Sequence, residues 1–306
     1  MNMSRRKDRA AQQTEIERLR AAIATPLLAR VPGSHHVVVA CPKGGTGKTT
    51  TAAMLGLSLA DVRGEIVSVV DANPHMSTLR RRLVSPAVPP TRPFVELCAR
   101  ALDEDIFPEW SALAPYTDVV ARLRVLSNQT ADPAEVESLT FAEFEAGVAL
   151  LRRAAQIVIS DMGTSSTGPV AVAAMETANT LVFATELAQD SLELAIEMVS
   201  ALAGQPLSYR PDPDDWSAVS NGRFAHLVQG AIVAIAPGRG DRDPADLTAL
   251  IDWLRAVCGG GVFIINKDDH LALGDLIVPS ALQSETTIAH LGVAAAVAAR
   301  FPQVQD

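Results

Sequence analysis

Seven short runs of β-branched and aliphatic residues, separated by stretches of helical periodicity, constrain this chain more than any other feature. The runs are HHVVVA (35–40), EIVSVV (65–70), LRVLS (123–127), QIVIS (156–160), TLVFAT (180–185), AIVAIA (231–236) and GVFII (261–265). Such runs suit strands covered on both faces. Helical stretches lie between most of them, at 48–61, 140–154, 169–178, 189–203 and 244–257. Strands alternating with helices predict an α/β fold, a mainly parallel sheet with helices on both faces. In such sheets ligands collect at the C-terminal ends of the strands, beside a topological switch point.

At 306 residues the chain is long enough to bury a full core. No run of 18 apolar residues occurs, so no transmembrane segment is expected. The first 20 residues lack an apolar h-region, and Cys41, Cys98 and Cys258 show no CxxC spacing. Together these predict a reduced, cytoplasmic setting. The net charge of −9 is unevenly spread: residues 1–20 hold six basic and three acidic side chains, leaving −12 for the remainder. Residues 205–306 carry seven Arg/Lys against twelve Asp/Glu. Affinity for a polyanion depends on neutralising phosphates, so this balance predicts weak or no nucleic-acid binding.

Residues 5–24 read as a helix, with Ile16, Leu19 and Ile23 on one stripe and a stop at Thr25-Pro26. Residues 1–30 are therefore divided off as a basic, amphipathic helical extension, and 31–306 as the main domain. Arg5, Arg6, Lys7 and Arg9 cluster at the start of this helix. Either it caps the core, or it docks a partner or touches an anionic membrane surface peripherally. The Pro-rich stretch 84–117 predicts an irregular excursion with short helices, and 204–222 an exposed loop.

Directly after the first strand comes CPKGGTGKTTT (41–51). The chain has only four lysines (Lys7, Lys43, Lys48 and Lys267) against 22 arginines, and two of them stand five residues apart among these glycines. A compact ammonium suits a phosphate held by backbone N–H groups, where a guanidinium fork would not fit. A glycine-rich turn running into a helix presents those N–H groups and a positive helix end to an anion. Gly47-Lys48-Thr49 match the end of G-x-x-x-x-G-K-[ST], with Pro42 in place of its first glycine.

KGGTGKTT (43–50) resembles the deviant Walker A loop, K-G-G-x-G-K-[ST], of the MinD/ParA family of dimeric P-loop ATPases, a SIMIBI-type fold in which the position of Pro42 need not be glycine. The resemblance implies ATP and Mg²⁺ as ligands, held by Lys43, Gly44, Gly45, Thr46, Gly47, Lys48, Thr49 and Thr50. It implies that Lys48 binds the β- and γ-phosphates and Thr49 the metal, while Lys43 reaches across an ATP-dependent homodimer to the partner's phosphates. VVDANP (69–74) is similar to the family's switch I, commonly D-x-D-P, and VISDMGT (158–164) to its Walker B strand. These imply Asp71 and Asp161 near the metal and Gly163 near the γ-phosphate. The loops APGRG (236–240) and NKDDH (266–270) stand where the family encloses adenine, which makes Pro237 and Asn266 candidate base contacts.

Asn73 departs from the family pattern, whose second switch I aspartate handles the attacking water. An amide can hydrogen-bond a water but cannot accept its proton, so slow or partner-stimulated hydrolysis is expected from the catalytic set Lys43, Lys48, Asp71 and Asn73. TPLLARV before the first strand, LADVRGEIVSVVDANPHMSTLRRRL (59–83) and DMGTSS (161–166) look like the MinD-like ATPases of actinobacterial type VII secretion, where D-A-N-P is a familiar switch I. That implies a protein partner in a secretion or envelope machine. A ParA-type segregation ATPase, or a nucleotide switch without useful catalysis, remains the alternative.

Overall fold

The computed structural model describes residues 2–24, 33–73, 78–103, 106–164, 168–204, 222–238 and 247–301, with the side chains of residues 2–7 outside that description. The 204–222 loop falls almost wholly outside it, as do Pro74, Ser165 and Ser166.

The strands are β1 (His35–Ala40), β2 (Val67–Ala72), β3 (Asp118–Val120), β4 (Leu123–Leu126), β5 (Ile157–Met162), β6 (Thr180–Glu186), β7 (Ile232–Ala236) and β8 (Gly261–Ile264). They form a single sheet in the order β3-β4-β2-β5-β1-β6-β7-β8. Every neighbouring pair is parallel except β3–β4. All seven expected strands are present. Three residues long, with Val119 exposed, β3 adds an antiparallel edge too short to leave a pattern in the sequence. β1 is buried throughout and sits between β5 and β6, where the order of connection reverses. Its C-terminal end is thus the switch point.

The helices are α1 (Asn2–Ala24), α2 (Lys48–Val62), α3 (Leu79–Leu83), α4 (Phe94–Asp103), α5 (Trp110–Leu113), α6 (Pro133–Glu137), α7 (Phe141–Ala154), α8 (Pro169–Thr177), α9 (Gln189–Leu202), α10 (Ala225–Gln229), α11 (Thr248–Val257), α12 (Asp269–Ala272) and α13 (Ser284–Ala298). They cover the sheet on both sides. Val38 and Ala40 of β1 join Phe94, Phe144, Leu192 and Ile251, from α4, α7, α9 and α11, in one apolar layer. Val37 and Val39 join Leu19, Ala52, Leu79 and Leu291, from α1, α2, α3 and α13, in the other.

α7 starts with a capping box, Thr140 accepting from the Glu143 N–H while Glu143 accepts from the Thr140 N–H. Midway, Gly147 lets α4 approach, since a Cβ there would lie 2.4 Å from the Cys98 sulfur. That contact gives the 84–117 stretch more order than its prolines suggest: α4 is ten residues long and buries Phe94, Leu97 and Cys98. α1 packs on α13 and α2 with Leu19 and Ile23 buried, and the fully buried Arg63 donates to the Ile23 carbonyl at 3.1 Å. Arg20 pairs with Asp61 of α2 at 2.6 Å. Among the described residues no helix is long and apolar enough to cross a membrane.

Candidate functional site

The chain leaves β1 at Ala40, turns through residues 41–47 and enters α2 at Lys48. Gly45 and Gly47 both have φ of 82°, a region open to glycine at little cost. A Cβ on Gly47 would also stand 3.0 Å from that of Ala236. The loop is braced from within. Cys41 Sγ and Thr46 Oγ1 lie 2.8 Å apart, and Thr46 Oγ1 donates to the carbonyl oxygens of Ala184 and Lys43, each at 3.3 Å. Burial pushes the Cys41 thiol pKa up, so it serves here as a neutral filler and hydrogen-bonding group. No side chain caps α2 at Gly47, which leaves its first N–H groups for a ligand.

Parallel register brings two carboxylates to the same level. Asp161 on β5 pairs with Asp71 on β2 and with Val39 on β1. Both aspartates are fully buried. Asp71 is tied into the fold: its carboxylate accepts from the Asn73 N–H at 3.1 Å and the Asn128 N–H at 3.3 Å. Among the described residues, neither carboxylate oxygen of Asp161 has a hydrogen-bond partner. Its closest cation is Lys48, with Nζ 3.9 Å from Oδ1. Burial pushes the Asp161 carboxyl pKa up, opposed by the Lys48 ammonium and by the Thr49 hydroxyl, which is near but outside bonding geometry. A buried carboxylate with orphaned oxygens beside a threonine hydroxyl and a phosphate-type loop suits a hydrated divalent cation. Among the described residues no cluster of three or more His, Cys, Asp or Glu forms a separate metal site.

Around these groups lies a cavity of about 490 Å³, lined by Gly44, Gly45, Gly47, Lys48, Thr49 and Thr50 on one side. Asn73, Thr78, Arg82, Thr164, Leu271 and Gly274 line the other. A second cavity of about 230 Å³ shares Gly45, Gly47, Thr50 and Leu271 with the first and continues to Ala236, Pro237, Asn266, Asp268 and His290. The two cavities adjoin along these shared residues and together make one cleft. Buried His290 has its pKa lowered to about 4 by burial, with Asp268 opposing, and is neutral near pH 7. Asn266 donates to Glu285 at 3.1 Å.

Nine of the expected site residues therefore line this cleft. Thr46, Asp71, Asp161 and Gly163 are buried and are not part of its lining. Lys43 also stands outside it. Its ammonium turns to the first turn of α9, 2.7 Å from Asp190 Oδ2 and 3.1 Å from Ser191 Oγ. That bond holds the Asp190 carboxyl below the usual carboxylate range. At Gly163, the neighbouring Thr164 is the residue that lines the cleft. Sequence reasoning missed Asp190, Arg82, Leu271 and His290. Arg82 had a visible signal in the run Arg80-Arg81-Arg82, but nothing in the run says which guanidinium turns inward.

The comparisons agree with this fold. A ParA family ATPase from Chlorobium tepidum TLS superposes with a TM-score of 0.63 at 16% identity, over 86% of this chain and 98% of that one. The septum site-determining protein MinD complexed with Mg-ADP from Pyrococcus horikoshii OT3 gives 0.57 at 18% identity, over 85% and 94%. Apo McdA from Cyanothece gives 0.55 at 18% identity, over 85% and 99%. No curated protein matches significantly. Residues 37–298 match the family described as the CobQ/CobB/MinD/ParA nucleotide binding domain, and the chain belongs to that family.

Proposed function

We propose that this protein is an ATP-binding switch with slow or partner-stimulated hydrolysis, working as a nucleotide-dependent homodimer. One observation carries the reading: the orphaned carboxylate of Asp161 and the ammonium of Lys48 face each other across a glycine loop at the switch point of the sheet. A buried anion and cation held 3.9 Å apart, the anion without hydrogen bonds among the described residues, suit a ligand carrying both charges, as a metal–nucleotide does. The family match and the MinD neighbour's Mg-ADP support it.

Lys48 and the N–H groups of residues 44–49 would hold the β- and γ-phosphates, with Thr49 and Asp161 holding Mg²⁺. Bound there, the metal supplies charge neutralisation at the transferring phosphoryl group. Asp71, anchored by two backbone N–H groups, sets the position of Asn73 at the edge of the cleft and stands behind the metal site. The Asn73 amide can orient a water but cannot take its proton. Pro237 and Asn266 border the base end of the cleft.

The DANP sequence (71–74) and the likeness of residues 59–83 to ATPases of type VII secretion support service to a secretion or envelope machine, with residues 1–30 as a helical extension. A DNA-partition role fits less well, given seven basic against twelve acidic residues in 205–306. The test is calorimetry with Mg-ATP. Lys48→Ala should weaken binding at least ~100-fold, on the scale of a lost charge-assisted contact to a buried phosphate. Equal affinity in wild type and variant would overturn the reading.

A further inference from the structure

Three arginines are buried among the described residues: Arg63, Arg80 and Arg82. Two of them are neutralised. Arg63 pairs with Glu65, and Arg80 grips Asp118 with two bonds, at 2.7 Å and 3.2 Å. Arg82, two residues further along α3, has no carboxylate within ion-pair distance among the described residues. Its bonds go to neutral acceptors: Nη2 donates to Thr50 Oγ1 at 3.0 Å and to the Leu271 carbonyl at 3.2 Å, and Nη1 to the Asp275 carbonyl at 3.1 Å. Burial works against the charged form, while the Asp275 carboxylate favours it from beyond ion-pair contact. A buried guanidinium without a direct ion pair is costly, and such a group suits a place where an anion arrives.

The position says which anion. Arg82 lines the phosphate cavity, and two of its three acceptor residues, Thr50 and Leu271, are among the four shared with the cavity at the base end. In a nucleotide stretched along the cleft, the group at that junction is the phosphate nearest the base. We infer that Arg82 is a third phosphate-binding cation of this site, serving the base-proximal phosphate that ADP and ATP have in common. The inference rests on the nucleotide reading above and adds a residue to it. The three cations then have separate roles. Lys48 serves the distal phosphates, Lys43 the dimer, and Arg82 either nucleotide in a single subunit. Because the Arg82 carbonyl accepts from the Ile277 N–H at 2.8 Å, the same residue ties α3, just after the DANP segment, to the 271–277 segment beside the base.

A purely structural staple would have the same contacts, so the test needs a readout that separates the two. We would measure ADP and ATP affinity by calorimetry, and the melting temperature without nucleotide, for wild type, Arg82→Met, Arg82→Gln and Arg82→Lys in the full chain. Expected is a roughly 10- to 100-fold loss of affinity for both nucleotides in the Met and Gln variants, the scale of one charge-assisted bond. Arg82→Lys should recover part of it. The melting temperature of Arg82→Met without nucleotide should change little, because the loss of three hydrogen bonds is offset by removing a buried charge that has no direct ion pair. ADP affinity within twofold of wild type, a loss confined to ATP, or Met and Gln variants that both fail to fold would each overturn the inference and leave Arg82 a staple. Failure of wild type itself to bind ADP or ATP would overturn the nucleotide reading, and this inference with it.

Discussion

Asn73 stands where the cleft meets the end of β2, with its N–H committed to Asp71 and its side chain at the cavity wall. The distinction between an amide and a carboxylate there is one of proton affinity, since the two are nearly equal in size. Asn73→Asp should therefore leave ATP affinity within a few-fold of wild type and raise kcat by roughly 100-fold, the typical scale of a general-base contribution. A change in kcat alone marks an interaction made in the transition state. Steady-state phosphate release measured beside calorimetry checks it. If wild type turns over briskly and Asn73→Asp slows it, the water is handled elsewhere, with Asp71 the next candidate. Lys48 and Thr49 could be named from sequence because a strand, a glycine loop and a helix follow one another in a fixed local order, and Asp161 because it ends the apolar strand of VISDMGT (158–164). Asp190, Arg82 and His290 could not. They reach the site from α9, α3 and α13, and only tertiary packing decides which side chain of each helix faces in.

At the level of elements, the strands were legible because burial on both faces forces unbroken apolar runs, as in HHVVVA and QIVIS. α13 was not, because SETTIAHLGVAAAVA shows no narrow apolar stripe; it is buried broadly against α1, α2 and β8 and so is small and apolar nearly all round. The junction of the loop with α9 was also hidden. Asp190 and Ser191 at the start of α9 hold Lys43 back toward its own subunit. In the proposed dimer Lys43 must leave this contact to reach the partner's phosphates, so the pair opposes dimerisation. The Lys43–Asp190 pair is largely exposed, hence screened by salt and weak enough to release. Asp190→Asn should lower the concentration of slowly hydrolysed ATP analogue needed for dimer formation, by a few-fold at low salt and less at high salt. Lys43→Gln should abolish the dimer in both backgrounds. Light scattering after size exclusion reads both. A dimer that forms equally in wild type, Asp190→Asn and Lys43→Gln would show that Lys43 has no part in the interface.

For the whole molecule, acid is the condition that tests the packing of the sheet against both helical layers. His35 and His36 begin β1 at the end opposite the cleft, and His290 lies on α13 beside it. His35 Nε2 lies 2.8 Å from Thr180 Oγ1 and His36 Nε2 2.8 Å from Ser160 Oγ, contacts that a neutral ring satisfies. Burial, reinforced by the Arg152 guanidinium, pushes these two histidines down to about 4 and about 3; burial alone, against Asp268, takes His290 to about 4. In the unfolded chain all three titrate near 6.5, so below that pH the unfolded state binds protons that the folded state refuses. Stability should then fall as pH drops from about 6.5 toward 4, by up to about 1.4 kcal/mol per pH unit for each histidine. Asp161 opposes the trend, since a raised carboxyl gains a proton in the folded state first, but it is one group against three. Urea unfolding at pH 7.0, 6.0, 5.0 and 4.5 should show the midpoint falling throughout this range, before ordinary carboxylates titrate. His36→Gln, which keeps polar atoms but takes no proton, should flatten the slope by about a third once its own loss of packing is subtracted at pH 7. A midpoint that stays level from pH 7 to 5 would mean that these rings are protonated in the fold, and that the hydroxyls of Ser160 and Thr180 accept from charged imidazoles rather than neutral ones.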